Sequence, residues 1–247
     1  MTMDSSPATD LPSLTEPPGR RVDTAAFFDR DAQLVARELL GKVLWHRLAG
    51  QWLGAVIIEA EAYYRAEKAS HASLGYTEKR AALFMPPGTI YMYYARGGDS
   101  FNVSCRGEGD AVLFKSAMPY TAFAQADAMQ MDSMVAAMQA RNPLPGGRPR
   151  VPVRLCAGQT LLCRSLGLRV PDWDRRQFDR ATLCLTDVGY VPERIVRTQR
   201  LGIPPGRDGH LPYRYVDHAH AAHCTRNPLR RGGPPVEIMT ATGDVLP

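Results

Sequence analysis

Residues 51–64 read QWLGAVIIEAEAYY, an apolar run of strand length that ends in two carboxylates and two tyrosines where a turn would be expected. Its β-branched and aromatic content, and that of KVLWHRL at 42–48, predicts two strands. Ala49 and Gly50 form a two-residue connection between them, so the pair reads as a hairpin. Period-two alternation would put Ile57, Glu59, Glu61 and Tyr63 on one face and Ile58, Ala60 and Ala62 on the other. Two acids and a phenol then share a side, where partial desolvation makes ionising both carboxylates costly. A carboxylate so placed is a candidate general base for water. Taken alone, the same pattern fits a strand end emerging into solvent.

Outward from this hairpin, GTIYMYYA, FNVSC and AVLFKSA are further strand-like runs, each bounded by glycine-rich or charged breakers. Several adjacent strands predict an antiparallel sheet. Upstream, DRDAQLVARELLG predicts a helix capped by Asp29 or Asp31 and ended by Gly41, with Leu34, Val35, Leu39 and Leu40 as its buried stripe. Residues 122–139 lack Gly and Pro and favour helix, with Met131, Met134 and Met138 spaced as a core stripe. RNPLPGGRPRVPVR, with four arginines, is a loop open to two readings, phosphate contact or plain solvation. LCAGQTLLCRSLGL predicts another helix, and ATLCLTDVG and RIVRTQRLGI predict strands. The expected fold is a single α+β domain over residues 22–247, behind a Pro/Ser/Thr-rich disordered tail, residues 1–21.

The chain has 247 residues, 30 basic against 25 acidic, a modest lean toward a polyanionic partner. Five cysteines, without a CxxC pair, read as cytosolic thiols and not as a disulfide framework. No run approaches the roughly 18 apolar residues of a spanning helix, so the expectation is a cytoplasmic protein without membrane association.

Within FMPPGTIYMYYARGGDSFNVS, Tyr91 and Tyr93 fall on one strand face and Tyr94 on the other. Alternating tyrosines commonly pack across strands, but they can also stack on a nucleobase. The ARGGDS that follows suits an exposed tip able to approach a phosphate. With ARELLGKVL, IIEAEAYYRAEKASH, FMPPGTIYMYYA, FNVS and GDAVLFKSAMP in this order, the chain resembles the alkyladenine (3-methyladenine) DNA glycosylases from about Phe27 to Tyr215. The resemblance implies a curved antiparallel sheet core flanked by helices, with a basic DNA-binding face. It also implies a monomeric, cofactor-free hydrolase acting on double-stranded DNA that contains damaged purines, nucleoid-associated when bound. The damaged base would be flipped out of the stack before its glycosidic bond is cut.

Position by position, the resemblance makes Glu61 the base that activates water. Tyr63, His71 and Tyr93 would enclose the flipped base, with the His71 main-chain amide reading the purine edge. Asn102 would crowd the amino group of guanine. Lys115 stands where the family often has an arginine, keeping charge but losing the planar fork, and Arg96 stands near the position of a wedging tyrosine. The resemblance leaves DNA, phosphate or water contact as the expectation for these two. His218, His220, His223 and Cys224 in DHAHAAHC are metal-capable, but their spacing is not that of a structural zinc site. Two alternatives stay open: a catalytically impaired nucleic-acid-binding protein on the same fold, and a metal-dependent hydrolase built on these histidines.

Overall fold

In a computed structural model the chain is described at residues 14–95, 97–122 and 128–246. The strands are β1 (Arg20–Arg21), β2 (Val43–Leu48), β3 (Gln51–Tyr63), β4 (Ile90–Ala95), β5 (Gly98–Ser104), β6 (Ala111–Pro119), β7 (Leu183–Asp187), β8 (Ile195–Thr198), β9 (Arg214–Asp217) and β10 (Val236–Met239). The α-helices are α1 (Ala25–Phe28), α2 (Ala32–Leu39), α3 (Ala128–Arg141), α4 (Gln159–Leu166) and α5 (Val170–Trp173). All strand pairs are antiparallel, in the order β1-β7-β2-β3-β6-β5-β4. A branch leaves β3 through β9 to β8 and β10. The architecture is a single α+β domain.

The hairpin β2–β3 forms on Ala49 and Gly50, both at positive φ, as a two-residue turn of matching twist requires. Trp45 lies opposite Gly54, and a Cβ there would sit 2.3 Å from the indole, so only glycine admits the buried ring. The indole NH donates to Thr186 Oγ1 of β7 at 2.9 Å, tying three strands together.

The central strand is β3, 13 residues long and buried along nearly all its length. Its first half pairs with β2 up to Val56, and from Glu59 the same edge pairs with β9. At this hand-over the register against β6 shifts twice, leaving Ile58 extra on β3 and Lys115 extra on β6. Such bulges bend strands and re-aim side chains. The simple alternation expected for β3 therefore fails at one place. Ile57 joins Ala60 and Ala62 in the main core, while Ile58 joins a small separate cluster with Met118, Val196, Val216 and Cys224.

Helix α2 is capped by Asp31, whose carboxylate accepts from the Gln33 and Leu34 amides. Its buried face is Ala32, Val35, Ala36 and Leu39; Leu34, expected in the stripe, is only half-buried because small alanines form the close contact. In α3 the three methionines are buried as expected. The start of the helix expected from residue 122 falls partly on 123–127, outside the described residues. Within the segment expected to be tail, Arg20 and Arg21 pair with Asp187 and Thr186 on β7, and Leu14 packs against the core. Residues 1–13 of the expected tail are outside the described residues. No helix among the described residues is long and apolar enough to cross a membrane.

Candidate active site

One face of the β3–β6–β5–β4 sheet opens into a cavity of about 600 Å³. Tyr63, His71, Tyr93, Asn102 and Lys115, drawn from four strands and a one-turn helix, all line it. Glu61 lies beneath its floor with no exposed surface. Arg96 is outside the described residues.

Glu61 is met from three sides. The Tyr63 hydroxyl donates to Oε2 at 2.7 Å, and the Leu201 amide donates to Oε1 at 3.2 Å. Lys115 Nζ lies 3.4 Å from Oε1 and 3.5 Å from Oε2. The bulge that makes Lys115 extra on β6 is what aims its amine at the neighbouring strand. Burial, followed by the negative charge of Glu61, pushes the Tyr63 phenol well above its ordinary range, so it stays a donor.

Glu59, two residues earlier, has a different life. It forms a fully buried ion pair with Arg214 of β9, Nε to Oε1 at 2.6 Å, and also accepts from Ser116 Oγ and from the amide and hydroxyl of Thr225. The two acids thus have separate cations, and their mutual repulsion is offset in place. Glu59 is committed to holding the Thr225 segment, whose side chain is part of the cavity wall.

The aromatic wall is a relay. Tyr91 and Tyr93 stack at 5.4 Å between centroids, and the His71 ring meets Tyr93 edge-on at 4.5 Å. His71 Nδ1 is 2.9 Å from the Tyr91 hydroxyl, which fixes the imidazole plane. Burial, with the positive charges of Arg80 and Arg207, lowers the His71 pKa and favours the neutral ring. His71 opens a one-turn helix, His71–Leu74, capped by Ser70, whose Oγ accepts from the Ala72 amide. The His71 amide itself has no partner among the described residues. Asn102 Nδ2 donates to the Tyr91 carbonyl at 3.1 Å, which leaves Oδ1 without a partner among the described residues.

Four contributors are invisible to local sequence reading. Tyr91 is on the face expected with Tyr93, but its bond to His71 is not among the packing and stacking roles the sequence suggests. Arg200 lies 4.5 Å over the Tyr63 ring, donates to the Ala62 carbonyl at 2.8 Å and forms a two-pronged pair with Glu67. Arg214 and Thr225 complete the floor. Apart from Tyr91 these residues lie more than a hundred positions from Glu61 in the chain, so no motif spacing could announce them.

The C-terminal histidines do not converge. His220 Nδ1 is 2.7 Å from Asp217, which also accepts from the Tyr190 hydroxyl, and Cys224 is buried in the small apolar cluster. Among the described residues no group of three His, Cys, Asp or Glu side chains is arranged to hold a metal ion.

A family model described as methylpurine-DNA glycosylase matches residues 26–221. A Pseudomonas savastanoi pv. phaseolicola protein named "Putative 3-methyladenine DNA glycosylase" is 62% identical over 206 residues, covering 83% of this chain and 90% of its own. Two proteins of the same name are similar at 61% over 206 residues in Pseudomonas aeruginosa, covering 83% of this chain and 84% of theirs, and at 33% over 198 in Koribacter versatilis, covering 77% and 87%.

Proposed function

From the premise that this chain belongs to the methylpurine-DNA glycosylase family, and so is a DNA glycosylase of base-excision repair, we propose that it flips damaged purines into the tyrosine-lined cavity and hydrolyses them off with water activated by Glu61. The lesion class is 3-methyladenine, 7-alkylpurines, hypoxanthine or ethenoadenine. The observation that carries this reading is the convergence of Tyr63, Lys115 and the Leu201 amide on one carboxylate at the floor of an aromatic cavity.

Tyr93, His71 and Tyr63 offer stacking and edge contacts to a purine, and aromatic stacking is worth about 1–3 kcal/mol per base. The unpartnered His71 amide can donate to a purine acceptor. Asn102 would crowd the exocyclic amino group of guanine. Glu61 takes a proton from water as the oxygen attacks C1′ and the glycosidic bond breaks. Before it takes that proton, its negative charge stands beside the sugar as the sugar becomes oxocarbenium-like. A purine alkylated at N3 or N7 leaves as a neutral base; hypoxanthine needs a proton as well. The Lys115 contact is the loosest around Glu61, at 3.4–3.5 Å against the roughly 2.7–2.9 Å of a tight charge-assisted bond, so movement of that amine is the step that would admit water to the buried carboxylate.

The test is single-turnover excision from oligonucleotides carrying each lesion, for wild type and Glu61→Gln, with and without EDTA. Base release that is lost in Glu61→Gln, unaffected by EDTA and accompanied by retained DNA binding is expected. Full activity in that variant would overturn Glu61 as the base. The sealed carboxylate is the one observation favouring a catalytically impaired binder, which absence of release from every lesion, with salt-sensitive DNA binding, would establish.

A further inference from the structure

The β4–β5 hairpin has two faces, and only one belongs to the cavity described. Tyr93 and Ala95 line that cavity. Tyr94 points the other way and is 70% exposed. Its cross-strand partner is Asp99, and directly paired residues share a face. Asp99, Gly97 and Gly98 line a second groove of about 940 Å³, closed by α4, α5 and the end of β2. Thr160, at the start of α4, lines both cavities, and a Cβ on Gly98 would lie 3.0 Å from its side chain. The hairpin is therefore a thin partition seated on α4.

The second groove is basic. Five arginines line it against three aspartates. The acids are already engaged: Asp99 accepts from the Val170 amide, Asp172 pairs with Arg169, and Asp179 accepts from the Ala181 amide and the Thr182 hydroxyl. The cations are less committed. Arg47 and Arg176 are exposed, and their side chains have no partner among the described residues. Arg164 reaches only the Gly97 carbonyl, at 3.5 Å. An exposed tyrosine on the hairpin face that borders a groove carrying two uncommitted guanidinium groups suits a nucleic-acid backbone and its bases.

We propose that this groove seats the DNA strand opposite the lesion, with Arg47 and Arg176 on its phosphates and Tyr94 against the base left unpaired. The proposal rests on the excision reading above for its substrate. It makes the hairpin a divider between strands: the flipped purine on the Tyr93 side, its former partner on the Tyr94 side. Recognition of duplex, as distinct from single strand, resides in residues that never touch the damaged base.

The experiment compares wild type with Arg47→Ala/Arg176→Ala on an ethenoadenine duplex and on the same lesion strand alone. Binding is followed by fluorescence anisotropy across salt, and excision by single turnover. Losing two phosphate contacts should weaken duplex binding on the order of 10–100-fold near 0.1 M salt and flatten the salt slope by about 1.8. Single-strand binding and excision should not change, and Arg47→Lys/Arg176→Lys should recover most duplex affinity. Equal loss on both substrates, or no loss on duplex, overturns the proposal. If wild type releases no base from any lesion, the excision reading fails, while the binding comparison still decides the groove.

Discussion

Lys115 Nζ sits nearly equidistant from the two oxygens of Glu61, at 3.4 and 3.5 Å, on a bulge that belongs to β6 alone. A buried carboxylate stripped of its cation is left unpaired. Lys115→Met should therefore cut the excision rate, as measured by single turnover on an alkylated-purine duplex. An unchanged rate would separate Lys115 from the carboxylate's chemistry.

The Glu59–Arg214 pair makes a stability prediction. Both side chains are fully buried, and removing one partner leaves the other charged and unpaired. Arg214→Met should cost about 3–5 kcal/mol in urea unfolding, and Glu59→Gln/Arg214→Met less than the sum of the single changes. Additive losses would mean that the two side chains do not interact.

Gly54 faces the Trp45 ring too closely for any Cβ. Gly54→Ala should lower stability by about 1–3 kcal/mol through overpacking, and adding Trp45→Leu should return part of it. A neutral Gly54→Ala would show that the hairpin relaxes at no cost.

Two histidines predict a pH dependence. Burial lowers the pKa of both, opposed at His46 by its bond to the Leu166 carbonyl and reinforced at His71 by Arg80 and Arg207. The unfolded chain then binds more protons as pH falls through about 6.5 toward the folded values. Their contribution to stability is intact above that window and lost within it. Urea midpoints of wild type should fall between about pH 8 and about pH 5.5, and His71→Gln should fall less. Parallel curves would remove His71 from the account.

Much of the fold can be read from the sequence because its signals are local. Ala49–Gly50, the Asp31 cap and the methionine spacing of α3 each specify a nearby conformation. The cavity residues came from motif resemblance, and they do surround one space. The bulges at Ile58 and Lys115 could not be read, because they arise where β3 exchanges β2 for β9, a partner about 155 residues downstream. Arg200 was missed for the same reason: its meaning lies in Tyr63 and Glu67, neither of which its neighbours in the chain encode.

That exchange of partners also sets an order of events during synthesis. Glu61 and Tyr63 emerge from the ribosome well before the Leu201 amide, Arg214 and Thr225 that complete their surroundings. A nascent protein cannot assemble the floor of its cavity until Thr225 has been made. A polypeptide released before Arg214 would carry Glu61 and most of the aromatic wall, yet leave Glu59 without its cation in the middle of the sheet. The pair that builds the finished site thus makes an incomplete product costly to fold.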